Sequence, residues 1–257
     1  MARCSLAGRV ALVTGGAKRV GRAISLRLAA EGMDIALTFN TSACDAMHTV
    51  RQIQNMGRRA HAIEVDLAQA NAADHVYRVF TSKFERLDAL INNASCFTAT
   101  PLGQITASDF QQHMTVNAMA PLMLIQNFTP LLSAGFDSQR GDPSSTGRVI
   151  NLADEHVLGK PLKNFAAYNA SKAALVEITK SCALELAPKV TVNGIAPGVV
   201  AWNDSSTAQW REAYLASVPL ARIGSGEEVA AAALFLVRDA GYCTGQIIPV
   251  DGGRGLT

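Results

Sequence analysis

The chain has 257 residues, 49% of them hydrophobic, with a net charge of +2 and a pI near 8.3. Its length suits a single α/β domain over 1–257, and its near-neutral balance excludes the strongly basic face that nucleic-acid binding requires. No apolar run is long enough to span a membrane, no secretory signal opens the chain, and the five scattered cysteines lack metal spacing, so a cytoplasmic protein with reduced thiols and no metal is expected. In chain order, β-branched or apolar runs at 10–14, 35–39, 61–65, 89–92, 148–152, 190–195 and 246–250 read as strands. Amphipathic stretches at 20–30, 43–56, 68–84, 108–132, 165–187 and 227–238 read as the helices between them. Such alternation predicts a Rossmann-type, doubly wound parallel sheet of about seven strands with helices on both faces. Ligands bind such sheets at the carboxyl ends of the strands. Segments 135–147 and 203–207 read as loops, the second within a substrate loop at about 199–217.

The first strand runs into Thr14-Gly15-Gly16-Ala17-Lys18-Arg19-Val20-Gly21, which opens a helix. Gly15 and Gly21 allow backbone to approach a pyrophosphate, and the free N–H groups of the helix face that anion. Lys18, Arg19 and Arg22 add positive charge, with Arg19 where such a loop normally carries another glycine. After the second strand, Asn40-Thr41-Ser42 offers three short polar side chains and no carboxylate. An acidic residue there would bind the ribose of NAD and repel a 2′-phosphate, so the expected cofactor is NADPH. Asp66-Leu67 follows the third strand, where a carboxylate accepts from an adenine amino group, and Asn92-Asn93-Ala94 follows the fourth and lines the nicotinamide side.

Hydride transfer to C=O or C=N leaves a basic atom that needs a proton. Tyr168 and Lys172 share one helical face at four-residue spacing. The lysine charge is expected to favour the phenolate and lower the tyrosine pKa. These features together read as a pyridine-nucleotide oxidoreductase.

Residues 8–253 resemble a short-chain dehydrogenase/reductase throughout, through the phosphate loop, Asp66, Asn92-Asn93-Ala94, Asn117, Tyr168/Lys172, Asn193, Pro197-Gly198 and Asp251-Gly252-Gly253. The resemblance implies that Asn117 belongs to a proton relay, that Lys172 also holds the nicotinamide ribose, and that Pro197-Gly198 borders the nicotinamide. It implies a homotetramer as well. The third catalytic position, usually serine, falls on Asp154 by counting from Asn151, or on Glu155 by counting back from Tyr168. Asp154, Arg19, Ser95-Cys96-Phe97 and Trp210 are similar to the pteridine reductases. That likeness implies a pterin or folate substrate stacked by Phe97, with Arg19, Ser95, Asp154, Tyr168 and Trp210 around it. A 3-oxoacyl-carrier reductase and a nucleotide-binding regulator without turnover are the alternatives. His156 reads as exposed loop.

Overall fold

The computed structural model describes residues 5–136, 146–202 and 207–257, so most of segments 135–147 and 203–207 lies outside the described residues. Its seven strands are β1 (Val10–Val13), β2 (Asp34–Phe39), β3 (Ala60–Glu64), β4 (Ala89–Asn92), β5 (Gly147–Leu152), β6 (Val190–Pro197) and β7 (Ile247–Val250). They form one parallel sheet in the order β3-β2-β1-β4-β5-β6-β7. Strand order reverses between β1 and β4, which opens a crevice beyond their carboxyl ends.

Side chains of β1 alternate between two cores, as a period of two requires. Ala11 and Val13 enter the first, against Ile24 and Leu28 of α1 (Arg19–Ala30) and Val229 and Leu234 of α8 (Gly226–Arg238). Val10 and Leu12 enter the second, which holds Val76 and Phe80 of α3 (Ala72–Thr81) and Leu124 and Phe128 of α5 (Ala120–Ser133). Phe80 meets Phe128 edge-on at 5.1 Å, and each such buried side chain contributes about 1.5–3 kcal/mol. Burial on both faces explains why β1 has no polar residue.

The remaining helices are α2 (Ala43–Asn55), α4 (Ala107–Met114), α6 (Ala166–Leu186) and α7 (Ala208–Ala216). Two of the expected elements are corrected. The helix expected over 108–132 is α4 and α5 separated by a widened π-helical turn, Thr115–Met119. Residues 68–71, expected as helix, precede α3, whose first residue is Ala72.

Candidate active site

An open cavity of about 730 Å³ lies over the crevice between β1 and β4. Its floor is the glycine loop. Gly15 has φ +61°, and a Cβ on Gly21 would collide with the Gly15 carbonyl, so neither position accepts a side chain without rearrangement. Thr14 Oγ1 accepts the amide N–H groups of Asn93 (2.9 Å) and Ala94 (3.0 Å), while Asn93 Nδ2 donates to the carbonyls of Thr14 (2.9 Å) and Gly15 (3.2 Å). The Gly15 amide donates to Thr38 Oγ1 on β2 at 3.1 Å. Lys18 precedes α1 without a side-chain cap, and no acid occupies the first turn. The helix amides are therefore open to an anion. Arg19 takes φ +47°, the left-handed conformation for which glycine is the usual residue.

Gly15, Lys18, Arg19, Val20, Gly21, Asn40, Asp66, Leu67, Asn93, Ala94, Ser95, Pro197 and Gly198 all line this cavity. Thr41 and Ser42 lie outside its wall, the chain having turned into α2. Lys18 pairs with Asp45 at 3.0 Å, both half-exposed; such a surface pair is worth at most about 1 kcal/mol and gives way to a stronger anion. Arg22 is a correction: Gln52 Oε1 holds its guanidinium at 2.7 Å, on the α2 side. Asn92 is another, because it is buried and donates to Asn151 Oδ1 at 2.9 Å. Asp66 Oδ1 accepts from the Ala68 amide at 3.0 Å, which closes the turn after β3.

Opposite the floor, the phenol of Tyr168 donates to Asp154 Oδ2 at 2.5 Å. Asp154 Oδ1 accepts from the His156 amide at 2.9 Å, so this carboxylate also caps the short turn Glu155–Val157. Of the two candidates for the third position, Asp154 is the one that faces Tyr168, whereas Glu155 turns away toward Arg254. Lys172 donates to the Leu152 carbonyl at 2.6 Å and lies 5.9 Å from the Tyr168 ring centroid.

The electrostatics correct the expected lowering of the Tyr168 pKa. Burial, followed by the Asp154 carboxylate, pushes the phenol well above the usual tyrosine range, because both disfavour the phenolate. Burial lowers Lys172 to about 8, with Asp154 pulling the other way.

Asn117 sits in the π-helical turn and is fully buried. Its Oδ1 accepts from Ser95 Oγ (3.1 Å) and the Cys96 amide (2.7 Å); its Nδ2 donates to the Cys96 carbonyl (2.9 Å) and Ser171 Oγ (3.0 Å). Both donors and both acceptor positions of the Asn117 side chain are thus taken. It clamps the segment after β4 to α6.

Phe97 lines the cavity, stacked on Phe165 at 4.6 Å and edge-on to Tyr168 at 4.7 Å. Phe165 was missed by sequence reasoning, although its place three residues before Tyr168 at the start of a helix was a usable signal. Trp210 is a correction. It belongs to α7 rather than a loop, stacks on Tyr214 at 5.5 Å, and lies outside the cavity wall. His156, expected in exposed loop, is buried, with Nδ1 2.8 Å from the Lys160 carbonyl. Among the described residues no His, Cys, Asp and Glu cluster has metal-binding geometry, and no helix is long and apolar enough to cross a membrane.

A parallel sheet reversing at β1 and β4, a glycine loop on that crevice and a buried Tyr/Lys pair facing it define a nucleotide-dependent oxidoreductase. The family model described as enoyl-(acyl carrier protein) reductase matches residues 15–254, and the chain belongs to the short-chain dehydrogenase/reductase family. It is 35% identical to a 3-oxoacyl-[acyl-carrier-protein] reductase of Synechocystis over 253 residues, covering 97% of this chain and 98% of the relative. A reductase of the same name from Staphylococcus aureus is 34% identical over 248 residues, covering 95% and 96%. Among solved structures, a blue fluorescent protein from a metagenomic library in complex with NADPH superposes with a TM-score of 0.88 at 32% identity, covering 97% of this chain and 99% of that one. The acetoin dehydrogenase YohF of Salmonella typhimurium gives 0.85 at 32% identity, covering 97% of each.

Proposed function

We propose that the chain uses NADPH to reduce a C=N or C=O bond, with Tyr168 as proton donor. The crowding at Gly15 and Gly21, the uncapped start of α1 and the absence of a carboxylate in Asn40-Thr41-Ser42 fit this cofactor. So does the relative solved in complex with NADPH. In this reading the glycine loop and Arg19 hold the pyrophosphate, and Lys18 with Asn40 meets the 2′-phosphate. Asp66 and Leu67 border the adenine, while Asn93, Ala94, Ser95, Pro197 and Gly198 border the nicotinamide. Lys172 holds the ribose. Bound NADPH supplies the hydride. Tyr168, held protonated by burial, gives its proton to the atom that the hydride leaves basic.

The observation that carries the substrate reading is the 2.5 Å contact between Tyr168 and Asp154. A carboxylate beside the acid opposes an oxyanion developing on a carbonyl substrate. It suits a substrate that presents N–H donors or a protonated imine. Our reading is a dihydropterin (dihydrobiopterin, dihydromonapterin or dihydrofolate), with hydride delivered to C6 and the proton to N5 to give the tetrahydropterin. The face of Phe97 turned from Phe165 takes the flat ring, and Arg19 reaches its carbonyl side.

The second reading is a 3-oxoacyl thioester, reduced at its ketone to the hydroxyl. The relatives' names favour it, and none of those given above refers to a pterin. NADPH consumption measured across the three pterins, a 3-oxoacyl thioester and simple ketones decides between the two. Turnover of the thioester with every pterin ignored overturns the pterin reading. Tight NADPH binding without turnover on any of them would make the protein a nucleotide-binding regulator. The same assay with NADH tests the cofactor, since equal or better use of NADH would defeat the 2′-phosphate argument.

A further inference from the structure

The turn that carries Asp154 is held from behind. Glu155 is 3% exposed, and its Oε1 accepts from Arg254 Nη1 at 2.7 Å, with His156 Nε2 at 3.7 Å. Arg254 comes from the end of the chain, where Asp251 shapes the backbone by accepting the amides of Gly253 (2.9 Å) and Gly255 (2.8 Å). The Arg254 guanidinium also lies 4.9 Å over the ring of Tyr214 on α7. The Tyr214 hydroxyl in turn accepts the Val199 amide at 2.8 Å, in the cavity wall just after β6. One side chain thus joins the acid's own turn, the helix after β6 and the rim of the cavity.

We propose that Arg254 is a positioning residue for the Asp154–Tyr168 pair, transmitting the placement of α7 and the Val199 rim to that pair through Glu155. Burial of the ion pair makes it directional, because an unpaired charge at a site as enclosed as Glu155 is strongly disfavoured. When the Tyr214 ring moves, it carries Arg254 with it; Glu155 follows Arg254, and the backbone of Glu155 is continuous with Asp154. The inference rests on the reading of Tyr168 as the acid.

The fold supplies its own reporter. Both tryptophans of the chain, Trp202 and Trp210, pack on Tyr214, at 5.8 Å and 5.5 Å. Tryptophan emission therefore reads this region alone. The test uses the full chain with Arg254→Met, Arg254→Lys and Glu155→Gln, titrated with NADP⁺ for emission and assayed with whichever substrate the wild type reduces. We expect Arg254→Met and Glu155→Gln to lower kcat about tenfold, a loss of transition-state placement, with the KM for NADPH within about twofold. Both should also blunt the emission change on NADP⁺ binding, Arg254→Lys should recover most of each signal, and the double variant should be no worse than either single one. Wild-type kcat and emission response in both charge-removing variants would overturn the proposal, as would a kcat loss that only tracks the folded fraction in a thermal melt. If Arg254→Met does not fold, Glu155→Gln retains a hydrogen-bonding oxygen, and the same criteria apply to it and Arg254→Lys. Normal turnover in Tyr168→Phe would instead defeat the functional reading. The emission titration, which needs no substrate, would still judge the coupling.

Discussion

Burial and the neighbouring Asp154 carboxylate both hold the proton on Tyr168, so at rest it is a neutral phenol rather than a phenolate. Tyr168→Phe should cut turnover by about 10²-fold or more while leaving NADPH affinity intact, as measured by steady-state kinetics and a binding titration. Lys172 is the group expected to set a pH limit. Its pKa is lowered to about 8, so it is charged below that value and neutral above it. If its charge holds the ribose and assists release of the phenolic proton, kcat/KM falls as pH rises through about 8, and Lys172→Met removes that limb along with most of the rate. A profile that stays level there would take the lysine charge out of the mechanism. Arg19 is kept at φ +47°, at roughly 1–2 kcal/mol for a residue with a Cβ. Arg19→Gly relieves that strain but widens the unfolded ensemble by roughly 0.5–1 kcal/mol. The expected outcome is a level or slightly higher melting temperature together with weaker binding of NADPH and substrate; a clear fall in melting temperature would assign the guanidinium a structural role instead. The identities of these residues were legible because the chemistry needs particular side chains at particular spacings. Their protonation was not, since it depends on burial and on Asp154 lying beside the phenol, and spacing reports neither.

Strands were read to within one or two residues because the central ones are short apolar runs buried on both faces, as in β4, whose bounds match. Helices fared less well where packing, rather than periodicity, fixes the backbone. The π-helical turn at Thr115–Met119 leaves no mark in the apolar pattern; it sets Asn117 among four hydrogen-bond partners. α7 was missed because its aromatics stack on one another and on Trp202 instead of forming a stripe toward the main core. Its start does carry a signal, the Thr207 hydroxyl accepting from the Trp210 amide at 3.2 Å. Asn117→Ala removes the clamp between Cys96 and Ser171. It should cost about 2–4 kcal/mol, at roughly 1 kcal/mol for each lost hydrogen bond, and should lower kcat by loosening the segment that presents Phe97. Chemical denaturation gives the first quantity and initial rates the second. An unchanged denaturation midpoint would mean that water replaces the side chain without penalty.

At the scale of the molecule, apolar side chains remain exposed on the α4 to α6 side, among them Phe110, Met119 and Leu184, the last 84% exposed. Covering them against copies of the same chain is the expected outcome, as a homotetramer in light scattering; a monomer at assay concentration would end that expectation. The seam between β1 and β4 has a different kind of consequence. Thr14 and Asn93, whose mutual bonds floor the cavity, are 79 positions apart, with β2, β3 and their helices folded between them. Contacts of such long sequence separation close late, because loop entropy is lost before they repay it. During refolding, helical circular dichroism should therefore recover ahead of the capacity to bind NADPH. Nucleotide loading then acts as an inspection of the finished chain: a molecule whose two half-sheets have not met has nowhere to hold the pyrophosphate, and only completed copies are drawn off into the bound state.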